Sequence, residues 1–506
     1  MAIRQGVREQ MELLPPRIEQ YVAEDAPVRV YDAFVESLDL DELGILYEPM
    51  KEGNPCYDPR AMLKLLVYGY SYGVRSSRKL EREVYYNLAF IWLMGGLKPD
   101  HKTIAEFRRK HKEALKKTLR QCVRLCLKLD MIDGNVLFID GSKIRANASI
   151  KNTWTMEKCQ KVLEKTDKII EALIAEAEAI DKEEEGMPSL VSVKEKLGDA
   201  GAVKERVKAI MEELRCSGET AINTVDKECV RANSVHGTHS GYNAQIVVDK
   251  RHGLIASCDV ANTNNDLGQF SVQVDKAQEE LGKKCQIAVA DSGYADTDDL
   301  AKVDEQGIQV IVPTQMIASG REIGKFDKRN FRYDAEEDCY ICPGNNTLRY
   351  SGLTRKRKGK IYQISDKGDC LGCCNFGKCT TSRNGRKVMR LNAEELRNRL
   401  EREYILPQNQ AIYKRRQEKA ELPYGHIKRN LGVSSFLLRG REGARAEMSI
   451  LSVCFNVRRM LSILGHKGII AKLKGISSNK QTAAALSIAM VVNNLQQLPP
   501  VLTLAS

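Results

Sequence analysis

Two short apolar runs, each closed by an aspartate, constrain this chain more than any other feature. Val136-Leu-Phe-Ile-Asp140 and Gln286-Ile-Ala-Val-Ala-Asp291 each read as a buried strand that delivers a carboxylate to its carboxyl end. A lone aspartate after a strand often does no more than cap the next turn. Two of them, about 150 residues apart, make a shared metal site the working expectation, with a third acid to complete it. Gly141, Lys143 and Arg145 follow the first run at once, and Ser292-Gly-Tyr294 follows the second.

The sequence between and around these runs predicts a mixed sheet with helices on its faces. Tyr242–Asp249 and Leu254–Val260 flank Lys250-Arg-His-Gly253, a hairpin pattern. Asn265-Asp266 is expected to start a helix over 267–281, a further helix follows near 298–305, and Gln309–Thr314 reads as another buried strand. Charged segments over 155–215, with apolar positions at i, i+3 and i+4, predict an inserted antiparallel helical hairpin.

Ahead of the first run the pattern is helical. Pro59 suits a first turn, and the helix it opens should run to Gly73. A second helix capped at Ser76 or Ser77 carries Arg78, Lys79 and Arg82. A long basic helix over 103–127 follows, with Arg108 among its cations. Short helices with basic residues on the later ones fit a helix-turn-helix-like DNA module, and they fit equally a plain helical bundle with a solvated basic face. Near the other end a helix over 393–421 should kink or stop near Leu422, because Pro423 removes a donor, and a last helix spans 444–464.

Charge narrows the partner. Lys and Arg number 79 against 67 acids, a formal +12, which points to a polyanion such as nucleic acid or an acidic membrane surface, or to nothing beyond a basic solvated exterior. The N-terminal residues lack a secretory signal's apolar core, and the longest apolar stretch, near 483–492, is too short to span a bilayer. A protein without membrane partners, in the cytoplasm, is the expectation. In that compartment 15 cysteines do not form a disulfide framework. Six of them crowd between Cys339 and Cys379. Cys342, Cys370, Cys373 and Cys379 form a set of four thiolates suited to tetrahedral Zn²⁺, with Cys339 and Cys374 as alternates and a metal-free insertion as the plainer reading.

Several short segments, in a shared order, resemble the DDE transposases of bacterial insertion sequences. They are Asp58-Pro-Arg60, Pro99-Asp-His-Lys-Thr-Ile-Ala-Glu-Phe-Arg108, Phe138-Ile-Asp140-Gly, Gly241-Tyr-Asn-Ala-Gln245 and His252-Gly-Leu-Ile255. Asn265-Asp-Leu-Gly268, Ala290-Asp-Ser-Gly-Tyr294 and Tyr413–Lys428 complete the set. The resemblance covers most of the chain and implies a ribonuclease H-like α/β catalytic domain over 131–314 and 386–470. An all-α DNA-binding region over 1–130, the hairpin over 155–215, a cysteine-rich insertion over 315–385 and a tail over 471–506 surround it.

It also implies function. Asp140, Asp291 and Glu421 would hold two Mg²⁺ or Mn²⁺ ions, and Glu418 is the rival third acid. Lys102, Lys143, Arg145, Tyr413, Arg416 and Lys428 join Arg78, Lys79, Arg82 and Arg108 as expected DNA contacts. The family signature is Tyr-x2-Arg-x3-Glu-x6-Lys, whereas four residues separate Arg416 from Glu421 here. On a helix the extra residue turns Tyr413 and Arg416 by about 100° relative to the acid and puts Gln417 and Lys414 in their expected places. The implied activity is binding of terminal inverted repeats in double-stranded DNA, followed by strand cleavage and strand transfer, by a homodimer on DNA. A nuclease without strand transfer and an inactive DNA-binding derivative are the rivals.

Overall fold

The computed structural model describes residues 17–45, 56–183, 188–234, 237–320, 324–355 and 358–496, with side chains described except at 178–183, 188–191, 234, 474 and 476–496. Pro15-Pro16, Lys356 and Arg357 lie outside the described residues, as do the side chains of the apolar stretch 483–492.

Among the described residues, seven α-helices precede the first strand: α1 Pro27–Glu36, α2 Leu40–Leu43, α3 Pro59–Ser71, α4 Ser77–Tyr86, α5 Leu88–Leu93, α6 His101–Lys110 and α7 Lys112–Lys128. Local chemistry sets their starts. The Asp58 side chain accepts from the Arg60 amide at 2.9 Å with Pro59 in the first turn, and Asp100 accepts from Thr103 at 2.7 Å. The single basic helix expected over 103–127 is two helices, broken at His111.

The central sheet contains β1 Val136–Arg145, β4 Val230–Ser234, β5 Gly237–Asp249, β6 Ile255–Ala261, β7 Ile287–Val289 and β8 Gln309–Ile311; β2 Thr153–Trp154 and β3 Ile222–Asn223 pair separately. The order is β4-β5-β1-β7-β8, with β6 on the same edge of β5 as β4. β1, β5 and β6 run antiparallel in sequence, and β7 and β8 lie parallel to β1. Helix α10 Phe270–Leu281 precedes β7, and α11 Thr297–Asp304 precedes β8. The result is a mixed α/β fold with a mixed sheet, as expected.

α10 starts later than the sequence suggested. Asp266 does not cap it; Asp299 of α11 accepts from the Phe270 amide at 2.8 Å instead. That leaves the Asp266 carboxylate available elsewhere.

The N-terminal helices are not a separate body. The last helix, α16 Arg441–Gln496, packs against α7, β6, α1 and α3, so one apolar core runs from Val22 to Leu473. Within α16 the backbone breaks at Gly465 (φ 68°, ψ 166°), close to the expected end at 464. Its segment Arg441–Leu473 is long and apolar enough to cross a membrane, but 61% of the apolar stretch is buried within the protein, as in a core helix. Burying side chains such as Leu451 and Val457, both at 0% exposure, contributes about 1.5–3 kcal/mol each. The helical region expected over 1–130 therefore shares its core with the rest of the chain.

Two insertions carry small cores of their own. Helices α8 Met156–Glu183 and α9 Pro188–Ser217 form the expected hairpin, packed around Cys159, Val207 and Ile210. After α12 Gln315–Ala318 comes a five-stranded sheet: β9 Arg332–Asp334, β10 Cys339–Ile341, β11 Thr347–Leu353, β12 Gly359–Ile364 and β13 Lys387–Leu391, with α13 Lys367–Leu371 between the last two strands. This sheet reaches Leu391, beyond the expected boundary at 385.

α14 Glu394–Ile405 and α15 Pro407–Gly425 then lead back to the central sheet. α15 does not stop at Leu422. It continues through Pro423 into a π-helical turn at His426–Asn430.

Candidate active site

The pairing of β1 with β7 brings Asp140 and Asp291 together. The parallel register ends at Phe138↔Val289, and each aspartate sits two residues further on along its own chain. Adjacent strands lie about 4.8 Å apart, so the two acids meet at one end of the sheet. Asp140 is not the last residue of its strand, because β1 continues to Arg145 along β5. Asp291 leaves β7 to begin a 3₁₀ turn, Ser292–Tyr294, and its Oδ1 accepts from the Gly293 amide at 2.8 Å.

α15 covers Asp140. Arg416, Ala420 and Tyr424 are buried and share one helical face, at i, i+4 and i+8. Arg416 Nη1 stands 3.4 Å from Asp140 Oδ1, and the Tyr424 hydroxyl donates to the Ala244 carbonyl at 2.5 Å. Burial pushes the Asp140 carboxyl up to about 6; the Arg416 guanidinium opposes this, and the charges of Asp291 and Asp266 add to it. Lys428, in the π-turn, donates to Ser142 Oγ at 2.5 Å, and burial lowers its ammonium, with Asp140 pulling the other way.

The extra residue between Arg416 and Glu421 has the opposite effect from the one expected. Arg416 faces the sheet, and Lys414 and Gln417 are exposed. It is Glu421 that turns outward. Glu421 is exposed and, among the described residues, forms no hydrogen bond or ion pair despite the cations along its helix. Glu418 is exposed too. Tyr413 is half-buried, its ring 5.2 Å from Tyr404 and 5.5 Å from the Arg416 guanidinium.

Of the remaining expected DNA contacts, Arg78, Lys79, Arg82, Lys102 and Arg145 are exposed, and Lys143 is half-buried. Arg108 is a correction. It is 6% exposed, donating to the Tyr70 hydroxyl at 2.8 Å and the Arg75 carbonyl at 2.9 Å, so it holds the helices together and does not face solvent.

Sequence reasoning assigned no role to several residues that line the site. Asp266 accepts from Asn243 Nδ2 at 2.7 Å and Gln245 Nε2 at 2.8 Å, and Tyr294 donates to Gln245 Oε1. All four lie in segments that carried the family resemblance, and that was the only signal available for them.

The thiols form a second constellation. Cys342, Cys370, Cys373 and Cys379 line one small pocket of the inserted domain, with Pro343, Gly344 and Phe376. Backbone amides donate to three of the sulfurs: Asn346 to Cys342 at 3.3 Å, Asn375 to Cys373 at 3.4 Å and Arg386 to Cys370 at 3.4 Å. Burial raises the Cys379 thiol, Arg386 opposes, and the other three cysteines add to the rise. The alternates lie elsewhere: Cys339 is buried in β10 and Cys374 is exposed.

Among the described residues, no three His, Cys, Asp or Glu side chains stand close enough as placed to hold a metal ion. The donor sets nevertheless suit metals of two kinds. The carboxylates on adjacent strand ends offer hard oxygens, and the amide-bonded sulfurs offer thiolate ligands with their supporting shell.

Comparison with known proteins gives two family matches. Residues 16–110 match a transposase domain family, and residues 341–461, which include the four cysteines and Glu421, match a transposase DDE domain family. No curated protein sequence matches. A cryo-EM structure of the piggyBac transposase synaptic complex with hairpin DNA aligns over 95% of this chain and 87% of that chain, at 11% identity. Its TM-score of 0.32 carries no argument. A transposase domain match at the N-terminal end and a transposase DDE domain match toward the C-terminal end together support an insertion-sequence DDE transposase.

Proposed function

We propose that this transposase binds the terminal inverted repeats of its element, cuts the strand ends and joins the freed 3′ hydroxyls to target DNA. The observation that carries the reading is the placement of Asp140 and Asp291, each two residues past the last β1–β7 pair. We read the antiparallel β1-β5-β6 unit followed by parallel β7 and β8 as a ribonuclease H-like core.

Asp140 and Asp291 would hold Mg²⁺ or Mn²⁺, with Glu421 as the third acid in the two-metal site. Bound there, the ions supply Lewis acidity to the scissile phosphate and activate the attacking oxygen. Glu421 turns outward from α15, so its role as the third acid rests on its spacing to Lys428 and on the family resemblance. Arg416 tempers the burial of Asp140 and keeps it ionisable near neutral pH. Arg78, Lys79, Arg82, Lys102 and Arg145 would meet DNA phosphates, as would Lys143 and Lys428 beside the acids. Tyr413 and Arg416, both held against neighbouring side chains, act more by shaping the site than by meeting DNA. Joining two ends requires two protomers, so a homodimer on DNA is the working assembly, with DNA inside the cell as the partner. In the insertion, Cys342, Cys370, Cys373 and Cys379 would hold a structural Zn²⁺.

The test is a cleavage and strand-transfer assay with Mg²⁺ on DNA carrying the element's ends. Asp291→Ala should lose cleavage and retain DNA binding. Cleavage at the wild-type rate would overturn the site assignment, and cleavage without joining would reduce the enzyme to a nuclease.

A further inference from the structure

Strand alternation places the sheet's carboxylates on both of its faces. Asp140 and Gly141 are consecutive in β1, so their side-chain directions are opposite. Asp140 meets α15 on one face. Gly141 is paired with Gln245 on the other, and there the missing side chain matters. A Cβ on Gly141 would stand 2.5 Å from Asp266 Oδ1, 2.5 Å from Gln245 Nε2 and 2.9 Å from the Tyr294 hydroxyl. The glycine therefore makes room for the Asp266 carboxylate.

Gly293 performs the same service beside Asp291. A Cβ there would lie 2.9 Å from Asp291 Oδ1 and 3.4 Å from Asp266 Oδ2, so the two carboxylates face one another across a gap of methyl size. Asp266 Oδ1 is fully engaged by the Asn243 and Gln245 amides, whereas its Oδ2 takes no hydrogen bond among the described residues. Among those residues Arg416 on Asp140 is the one ion pair that Asp140, Asp266 or Asp291 makes. Asp266 and Asp291 thus keep carboxylate oxygens open to a divalent cation, although the Lys143 ammonium stands near Asp266 and that of Lys428 near Asp140.

Two buried polar atoms next to these acids lack partners. Asn243 is 1% exposed and binds Asp266 through its amide nitrogen, yet its Oδ1 is unpaired; Arg416 is 8% exposed, and its Nε is unpaired beside Asp140. Buried polar groups are ordinarily satisfied, and the unpaired Asn243 Oδ1 belongs to the side chain that holds Asp266.

We propose that Asp266 is a metal ligand, sharing a divalent cation with Asp291 through its free Oδ2. Asn243 and Gln245 act as positioning residues that fix the carboxylate's rotation. The inference rests on the reading of Asp140 and Asp291 as a metal-binding centre and adds a further acid to it, on the sheet face away from α15.

The experiment measures Mn²⁺ binding to the full chain by electron paramagnetic resonance, for the wild type, Asp291→Asn and Asp266→Asn. Asparagine keeps the Oδ1 acceptor for Asn243 and Gln245, so a purely structural role survives the change. Ligation does not, and Asp266→Asn should weaken Mn²⁺ at least about tenfold. Asp266→Cys gives a second reading: cleavage restored by Mn²⁺ or Cd²⁺ but not by Mg²⁺, as a thiolate's softness requires. Mn²⁺ affinity unchanged in Asp266→Asn overturns the inference, as does equal activity of Asp266→Cys in both kinds of metal. A wild type that binds no Mn²⁺ overturns the metal-centre reading itself, a distinct result.

Discussion

Arg416 Nη1 stands 3.4 Å from Asp140 Oδ1, a contact made across 276 residues of sequence. It joins β1 to α15, which the hairpin and the cysteine-rich sheet separate in sequence. It also opposes the effect of burial on the Asp140 carboxyl.

Removing Arg416 takes away the main charge that opposes the burial of Asp140. Its carboxyl, already at about 6, should rise further. Arg416→Ala is therefore expected to move the acid limb of the cleavage profile upward by at least about one pH unit, with DNA binding retained. Cleavage rates measured against pH check this, and an unmoved limb would mean that Arg416 does not tune Asp140.

The same burial has a sign for stability. The folded chain holds a proton on Asp140 up to about pH 6, whereas an unfolded aspartate releases it near 3.8. The contribution is favourable below 3.8 and is lost as pH rises through about 6. Asp140→Asn removes that cost but strands Arg416, so it should stabilise the metal-free protein at pH 7.5 by about 1–3 kcal/mol. The gain should shrink toward pH 4. Saturating Mg²⁺ should reverse the order, because it stabilises only the protein that binds it. Urea denaturation at both pH values, with and without Mg²⁺, reads each arm.

Gly141→Ala tests the crowding at the site. The new methyl group must displace Asp266, Gln245 or Tyr294. We expect cleavage to fall by about 100-fold with circular dichroism unchanged. A fully active variant would show that these side chains move aside freely.

A buried ion pair ties the helical region to α16. Arg75 Nη2 lies 2.5 Å from Glu447 Oε1, with the side chains 8% and 1% exposed, and Glu447 also accepts from the Leu437 amide at 2.7 Å. Arg75→Ala leaves a buried carboxylate without its cation and should cost about 3–5 kcal/mol in denaturant. A loss below about 1 kcal/mol would mean that water reaches Glu447.

Zinc is decided by elemental analysis of the purified protein, which should find about one ion per chain. Cys373→Ser should lose it and expose the five-stranded sheet to proteolysis, whereas exposed Cys374→Ser should keep it. Absence of zinc from the wild type ends that proposal.

Much of this protein was legible along the chain. Runs of apolar residues ended by Asp140 and Asp291 specify strands through side-chain burial alone, and Asp58-Pro59 and Asp100 specify helix starts through local hydrogen bonds. The hairpin, the cysteine set and the order of strands followed from patterns contained within tens of residues. Such features depend on neighbours in sequence, so sequence determines them.

What only the tertiary structure decided depends on neighbours in space. The register Phe138↔Val289 makes the two aspartates adjacent. The rotation of α15 against the sheet puts Arg416 inside and Glu421 outside, and the shared core with α16 turns Arg108 into a brace. Asp266 is the sharpest case. Its local sequence reads as a helix cap, but Asp299 supplies that bond from another helix, and two glycines open a gap into which the freed carboxylate fits. Local preference leaves such a side chain several uses, and packing selects one.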